Sequence, residues 1–582
     1  MNSDQTLPGA EGSCTIRKCR PRFSREDAIK LARELYGLTA CASELPSERD
    51  QNFHLHDRSG QEFVLKIASA ADRREILELQ NRALAHVAAD GPALSCPRLL
   101  PTITGEEIAT AEGVDGIRHC VRLLTHLPGR LFADVRPRTP ALLRSLGRFF
   151  GSMDRALERF EHPAAHRELH WNLKDAASVV RSRLGHLENA RQRALVEHCM
   201  RHFEAEVAPK FVGLRSSIIH NDGNDHNLLV AGRGPQQKVT GIIDFGDMLY
   251  TCTACDPAIA AAYAIMGQRD PVTAAAHVAA GYHEVFPLTE SELEVLYGLI
   301  WARLATSVAL SAEQQKLEPD NPYLSISERD AWQTLERLAA VNPAFAHFAF
   351  RSACGLPPCP ASSAVVRWLR ENRDQFAPVA AHSLKGDETL VFDLSVGSPE
   401  INDVASFLDA KACSRILFDR MRMSGARIGV GRYDEARLWY CSGPYQTVRD
   451  GFREFRTIHI GMDLFMEPGY PVFAPLDGTV HSFQNNAQPL DYGPTIILQH
   501  DIAETGSRFF TLYGHLSPDS LAGLSEGMPI RKAEQIARIG DSDENGGWPP
   551  HLHFQIIIDL LGRKGEFPGV AAPSEREIWR SL

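Results

Sequence analysis

The 582-residue chain reads as a multidomain protein: an α+β domain over 21–355, then a connecting region over 356–440, then an all-β domain over 441–582. Three observations predict this. The length exceeds what a single hydrophobic core serves. Prolines and small residues cluster in Cys354 to Ser363, CGLPPCPASS, as they do where few contacts cross between domains. The texture also changes there, from hairpins and long Leu-, Ala- and Arg-rich helical patterns to a succession of short strand patterns.

Composition narrows the partners. The formal charge is −11, from 62 basic and 73 acidic residues, and no basic block stands out, which argues against nucleic acid. Met1 to Cys19 lacks the apolar core of a signal peptide, and no later stretch reads as a bilayer span, so a cytoplasmic protein without a membrane partner is expected. The cysteines have no regular spacing and read as free thiols. Cys252 and Cys255 form a lone C-x-x-C, expected as buried thiols rather than a zinc site.

Taken in order, residues 1–20 read as a loose tail. Ser24-Arg25-Glu26-Asp27 caps a helix whose Ala28, Leu31, Ala32 and Leu35 follow the 3.6 period, with Gly37 as its stop. Cys41 to Ala68 reads as hairpins, and Phe63 to Ile67 alternates as a strand with Lys66 on the face opposite Phe63, Leu65 and Ile67. A lysine inside an apolar strand needs an anionic partner. Cys120 to Arg130 is a strand that stops at Pro128-Gly129. Pro140 to Glu206 and Asp256 to Ala349 are helical, with a capping box at Thr289 to Glu292.

Between those helical regions lies the chemically richest stretch, Ile218 to Asp247. His220, Asp222 and Asn227 stand in an H-x-D-x-x-x-x-N spacing, and the strand-like Val239 to Ile243 ends in Asp244-Phe245-Gly246. Phosphoryl transfer needs a carboxylate to orient and deprotonate the attacking hydroxyl, and two oxygen ligands for Mg²⁺. Asp222 suits the first role, and Asn227 with Asp244 the second. His220 reads as a structural residue of the loop. Asp247 and Asp256 are either contacts for a substrate amine or surface and capping carboxylates.

These motifs resemble those of the aminoglycoside phosphotransferase superfamily, whose members phosphorylate small molecules on a protein-kinase-like fold. The resemblance implies ATP or GTP with Mg²⁺, and makes Lys66 the lysine of the α- and β-phosphates. Its carboxylate partner is expected within Asp72 to His86, at Glu78 in preference to Glu75. Pro46 to Asn52 would cover the phosphates, although it lacks the usual glycines, and Cys120 to Arg130 would be the hinge that meets adenine and divides a small lobe, about 21–120, from a large lobe, about 127–355, of a two-lobed domain.

Beyond the boundary, strands are expected at Pro471 to Val480, Thr495 to His500, Phe509 to Leu516, Gln535 to Gly540 and His551 to Ile558. His459 and Asp463 stand in H-x-x-x-D, His515 follows Tyr513-Gly514, and His551 and His553 form H-x-H, pointing to one face of a strand. Two histidines and a carboxylate suit zinc with one position open. From Phe455 to Ile558 the motifs resemble the lysostaphin/LytM-type zinc endopeptidases. That resemblance implies zinc on His459, Asp463 and His553, with His515 and His551 activating water or stabilising an oxyanion.

The pairing of these two domains resembles the front of bacterial fusions that continue into a pyridoxal-phosphate class III aminotransferase-like phospholyase, and the run LLTHLPGR is similar to hydroxylysine kinases. The leading expectation is phosphorylation of a small amino alcohol or hydroxylated amino acid, with a phospholyase as a further partner. Three rivals stay open: an antibiotic kinase, a zinc hydrolase with a kinase-like regulator, and a non-catalytic scaffold for a lyase.

Overall fold

A computed structural model describes residues 19–47, 49–91, 94–317, 328–382, 384, 388–398, 403–449 and 452–582. The tail expected over 1–20 lies outside the described residues up to residue 18. The chain divides into two compact units, Met1–Cys354 and Gly355–Leu582, at the proline-rich segment.

In the first unit, helix α1 spans Arg25–Tyr36. Ser24 Oγ accepts the Asp27 amide at 3.1 Å while the Asp27 carboxylate accepts the Ser24 amide at 2.8 Å, so two otherwise orphaned donors are satisfied at once. Gly37 ends the helix in the left-handed region, φ 66°, which a side chain would strain. Strands β1 (Ala40–Leu45), β2 (Gln51–Asp57), β3 (Glu62–Ile67), β4 (Leu99–Leu100), β5 (Ala109–Glu112) and β6 (Arg118–Thr125) form one sheet in the order β1-β2-β3-β6-β4, with β5 also on β6. One face buries Phe53, Leu55, Phe63, Leu65, Ile67, Val121 and Leu123 against α1. Alternation sends Glu62, Val64 and Lys66 to the opposite face. Helix α2, Arg74–Asp90, follows β3.

The large lobe is mainly helical, with two short antiparallel pairs that carry the polar loops: Ser216–Ile219 with Leu249–Cys252, and Leu228–Ala231 with Lys238–Ile242. Its central helix is Glu290–Leu317, capped reciprocally by Thr289 and Glu292. Contrary to expectation, this helix is long and apolar enough to cross a bilayer by length and composition alone. Its most apolar window is 83% buried inside the unit, which accounts for that composition as it does for any core helix. Cys252 and Cys255 are buried thiols, as expected.

The second unit is built on an eight-stranded sheet in the order Thr389–Phe392, Ile428–Gly431, Met462–Phe465, His551–Ile557, Ser507–Gly514, Gly493–Ile502, Gly478–Asn486, Pro529–Ile530. Its first two strands come from the stretch expected as a linker. That stretch is therefore part of the unit: Ile428 and Val430 join the core with Leu464, Val472, Leu498 and Leu552. The unit is β-rich rather than all-β, because the helix Ala410–Ser424 buries Cys413, Leu417 and Met421 beside Phe392, Trp439 and Phe465.

Candidate functional site

In the first unit the strand Ser216–Ile219 delivers the chain into a loop whose backbone is pinned from outside. The fully buried Asp256 carboxylate accepts the amides of His220 at 3.1 Å and Asn221 at 2.8 Å, so it is a capping group and not a substrate contact. His220 Nδ1 accepts the Asp222 amide at 3.3 Å, and its ring meets the edge of Phe245, with centroids 4.7 Å apart, tying this loop to the Asp-Phe-Gly turn. The Asp222 carboxylate is held by two amide side chains: Asn224 Nδ2 donates to Oδ1 at 2.9 Å and Asn227 Nδ2 to Oδ2 at 2.6 Å.

A third group approaches from far along the chain. Arg303, in the middle of the helix Glu290–Leu317, places Nη2 3.4 Å from Asp222 Oδ1. Its guanidinium lies 4.2 Å from the centre of the Trp171 ring and donates to the Trp171 carbonyl at 3.3 Å. Burial, and next the charge of Asp247, push the Asp222 carboxyl up to about 7, while Arg303 and Asn224 pull the other way. A carboxyl poised near neutrality suits a general base. Arg303 was missed in the sequence, although a signal was there: it is the only charged residue between Glu294 and Glu313, and a lone cation in an apolar run requires an anion.

Asp244 follows the strand Lys238–Ile242 with a left-handed backbone, φ 60°. Its Oδ1 lies 3.5 Å from Lys66 Nζ and accepts the Gly246 amide at 3.2 Å. Lys66 first, and that hydrogen bond with it, hold the Asp244 carboxyl below its ordinary value against burial. Lys66 thus meets Asp244 and not Glu78. Glu78 pairs instead with Arg74, at 3.2 Å, on a half-exposed side of α2. The phase of the helix is the reason: Gln80 and Asn81 face the sheet, accepting at 2.8 and 2.9 Å from the buried Arg122, which lies opposite Lys66 in the strand register. The sheet-facing positions carry amides, so a search for a carboxylate selects the wrong side. From the Pro46 to Asn52 segment, Arg49 reaches Asp247 at 3.2 Å.

The donor set fits a hard cation. Asn227 commits its Nδ2 to Asp222, leaving Oδ1 as the ligand atom, and Asp244 supplies carboxylate oxygen.

In the second unit the register sets Asp463 opposite both His553 and Gly431, and His459 opposite Glu435. Asp463 Oδ1 lies 3.2 Å from His459 Nε2 and 3.1 Å from His553 Nδ1, and the two histidine nitrogens are 3.1 Å apart. All three residues are buried, a donor set and spacing that fit one zinc ion. Gly461 permits this approach, since a Cβ there would stand 2.3 Å from His553 Cε1. His515 and His551 stack beside them with centroids 4.3 Å apart. Their Nδ1 atoms point at the carbonyls of Asn545, 2.8 Å, and Pro549, 2.6 Å, which fixes Nδ1–H and leaves the Nε2 lone pairs for the cavity. Burial, and then the charge of Arg437, lower His459 to about 4, so it is neutral and able to ligate.

Arg437 was also missed. Fully buried, it donates to Asp463 Oδ2 at 2.5 Å and to Glu435 at 2.8 Å, so Asp463 is left with one oxygen, Oδ1, facing the histidines. The surrounding cavity of about 600 Å³ is walled by Trp439, Tyr440, Tyr445, Tyr492 and Trp548.

A two-lobed unit with a lysine on a small-lobe strand facing an Asp-Asn and Asp-Phe-Gly pair of loops is the architecture of a small-molecule phosphotransferase. Residues 42–294 match the family model described as the phosphotransferase enzyme family, and 457–564 match peptidase family M23. The chain is 34% identical over 341 residues to hydroxylysine kinase of Mus musculus, covering 55% of this chain and 90% of that protein. It belongs to the phosphotransferase enzyme family. Hydroxylysine kinase of Bos taurus is 32% identical over 353 residues, covering 57% of this chain and 93% of that protein. An uncharacterized metalloprotease of Haemophilus influenzae is 34% identical over 101 residues, covering 17% of this chain and 19% of that protein. Among solved structures, an amicoumacin kinase is 15% identical with a TM-score of 0.42, covering 56% of this chain and 96% of that one. The chain is thus a small-molecule kinase with an M23 domain attached.

Proposed function

We propose that the first unit transfers the terminal phosphoryl group of ATP or GTP to the hydroxyl of a small amino alcohol or hydroxylated amino acid. The observation that carries this reading is the carboxylate of Asp222, held by Asn224 and Asn227 and raised to about 7. Asp222 orients the acceptor hydroxyl and takes its proton as the new phosphate ester forms. Lys66, in this reading, neutralises the α- and β-phosphates, which its 3.5 Å approach to Asp244 supports. Asn227 and Asp244 would hold Mg²⁺, which when bound would neutralise charge on the phosphates. The acceptor class rests on similarity to the hydroxylysine kinases over most of their length.

Phosphorus NMR of the full chain with Mg-ATP or Mg-GTP and a panel of amino alcohols, 5-hydroxylysine and aminoglycosides tests it. A phosphomonoester from an amino alcohol or hydroxy amino acid is expected; turnover of aminoglycosides alone would move the enzyme to the antibiotic kinases. A phosphate ester turns a poor leaving group into a good one, so a pyridoxal-phosphate phospholyase is the partner this reading supplies, tested by elimination when such an enzyme is added to the product.

A second reading concerns the M23 domain: zinc-dependent hydrolysis of a peptide bond. It is favoured by three ligand atoms 3.1 to 3.2 Å apart. Zinc held there supplies Lewis acidity. The Nε2 lone pair of His515 or His551 accepts a proton from water as the hydroxide adds to the peptide carbonyl, and the Nε2–H so formed donates to the developing oxyanion or passes the proton to the leaving amine. Cleavage of glycine-rich peptides, lost in His551→Ala and His515→Ala, is the expected result.

A further inference from the structure

A cluster beside the hinge segment of the first unit has no role in either activity. It lies on the small-lobe sheet, on the face that carries Lys66. His54 comes from β2, Glu62 from β3 and His126 from just past β6, where the His126 amide donates to the Glu62 carbonyl at 3.1 Å and fixes the register. His126 Nδ1 lies 2.9 Å from one Glu62 carboxylate oxygen, and His54 Nε2 lies 3.8 Å from the other. The two rings are 4.6 Å apart at a tilt of 42°. One ligand atom from each residue lies within 4.8 Å of the others.

The state of the two nitrogens is the telling point. His54 Nε2 and His126 Nδ1 are both shut off from solvent, and neither has a hydrogen bond of good geometry. A buried imidazole nitrogen without a partner costs stability, and two of them converging on one carboxylate form an arrangement that a single positive ion would satisfy at once. A tetrahedral ion with ligands at about 2.0–2.2 Å holds their donor atoms about 3.3–3.5 Å apart. The separations of 2.9 and 3.8 Å run to the two different oxygens of Glu62, and with one ligand atom taken from each residue all three lie within 4.8 Å, a spread that an ion would draw together by small side-chain rotations. Two imidazoles and a carboxylate select zinc, copper or nickel over magnesium, which prefers oxygen and water.

We infer that His54, Glu62 and His126 form a site for a zinc-class divalent ion, separate from the zinc site of the M23 domain. The position gives the site a consequence. Glu62, Val64 and Lys66 share one face of β3 and step along it by about 7 Å per pair of residues. Lys66 marks the phosphate end of the cleft, and His126 stands in the segment assigned to the base. An ion bound there competes with the base end of the nucleotide. This second clause rests on the nucleotide reading above, whereas occupancy by metal does not.

The test is equilibrium dialysis of the full chain against micromolar Zn²⁺ in the absence of nucleotide, with metal counted by plasma emission. The double variant His54→Ala/His126→Ala is expected to hold one zinc fewer per chain than wild type. Glu62→Gln, which preserves shape, is expected to weaken that equivalent by roughly tenfold or more with unchanged near-UV circular dichroism. His553→Ala should lose a different equivalent, additive with the first. Equal zinc content in wild type and the double variant overturns the site. Competition is read separately: added Zn²⁺ raises the nucleotide KM of wild type and fails to raise that of Glu62→Gln. An unchanged KM with the zinc count confirmed overturns the competition alone.

Discussion

Arg303 places a guanidinium nitrogen 3.4 Å from the Asp222 carboxylate, from a helix 81 residues further along the chain. Stacked on Trp171 and almost wholly buried, the arginine cannot swing away to solvent, so the carboxylate is braced on one side by its own loop and on the other by the core helix. Arg303→Met is therefore expected to lower kcat by about 10²-fold, the cost of a misplaced reacting group, with the nucleotide KM little changed. Arg303→Lys should recover part of the loss. Steady-state kinetics on both variants check this, and an unaltered kcat in Arg303→Met would show that the loop positions Asp222 unaided.

Asp222→Asn keeps the shape of the loop and removes the base. Turnover should fall by about 10²–10⁴-fold while Mg-nucleotide still binds, as measured by isothermal titration calorimetry. Asp244→Asn should act on the other quantity. It weakens Mg²⁺-dependent nucleotide binding, because Asp244 is the carboxylate that Lys66 meets at 3.5 Å. If both variants lost binding equally, the division of roles between the two aspartates would fail.

Deep in the large lobe, Asp154 is wholly buried, accepts from Tyr282 Oη at 2.6 Å and adjoins Asp256. Burial first, and then the charge of Asp256, hold the Asp154 carboxyl well above its ordinary value. A folded-state value above the unfolded one means that the proton is kept on folding. The associated stability is complete below the ordinary carboxyl range, about pH 4, and is lost as pH rises toward the raised value. Asp154→Asn retains an acceptor for Tyr282 and cannot ionise. Its stability relative to wild type should improve steadily as pH is raised from about 4, followed by thermal melting at a series of pH values. A pH-independent difference would mean that Asp154 titrates as an ordinary carboxylate.

The M23 domain should gain stability from its metal. Three buried ligands confront one another in the metal-free state, so zinc binds the folded form and shifts unfolding by mass action. Dialysis against a chelator should lower the temperature at which the M23 domain melts, and Zn²⁺ should restore it. Gly461→Ala, whose Cβ would stand 2.3 Å from His553 Cε1, should abolish that response. A zinc-induced shift that survives in Gly461→Ala would place the ion elsewhere.

Much of the fold was legible because its cues are local. The cap at Ser24, the stop at Gly37 and the alternation around Lys66 depend on neighbours a few residues apart, and the structure has the capping box, the left-handed glycine and the strand. The loop spacing from His220 to Asn227 was legible for the same reason, since Asn227 reaches back five residues to Asp222. What could not be read was phase and packing. Glu78 and Asn81 are one turn apart on α2, yet only docking against β6 decides that Asn81 turns toward the sheet and Glu78 toward Arg74. The 356–440 stretch was opaque because strands as short as Thr389–Phe392 and Ile428–Gly431 acquire their pattern from the sheet they join.

By itself, then, the order of residues determined the two units, the family of the first, and the polar side chains each loop and strand presents, because backbone geometry places residues that are close in sequence. Only the tertiary structure decided which polar side chains meet: Lys66 with Asp244, Arg303 with Asp222, Arg437 with Asp463, and His54 and His126 with Glu62. Each of these pairs joins separate elements, and a buried charge takes whichever partner the packed core brings within reach, a choice made by burial and distance rather than by spacing along the chain.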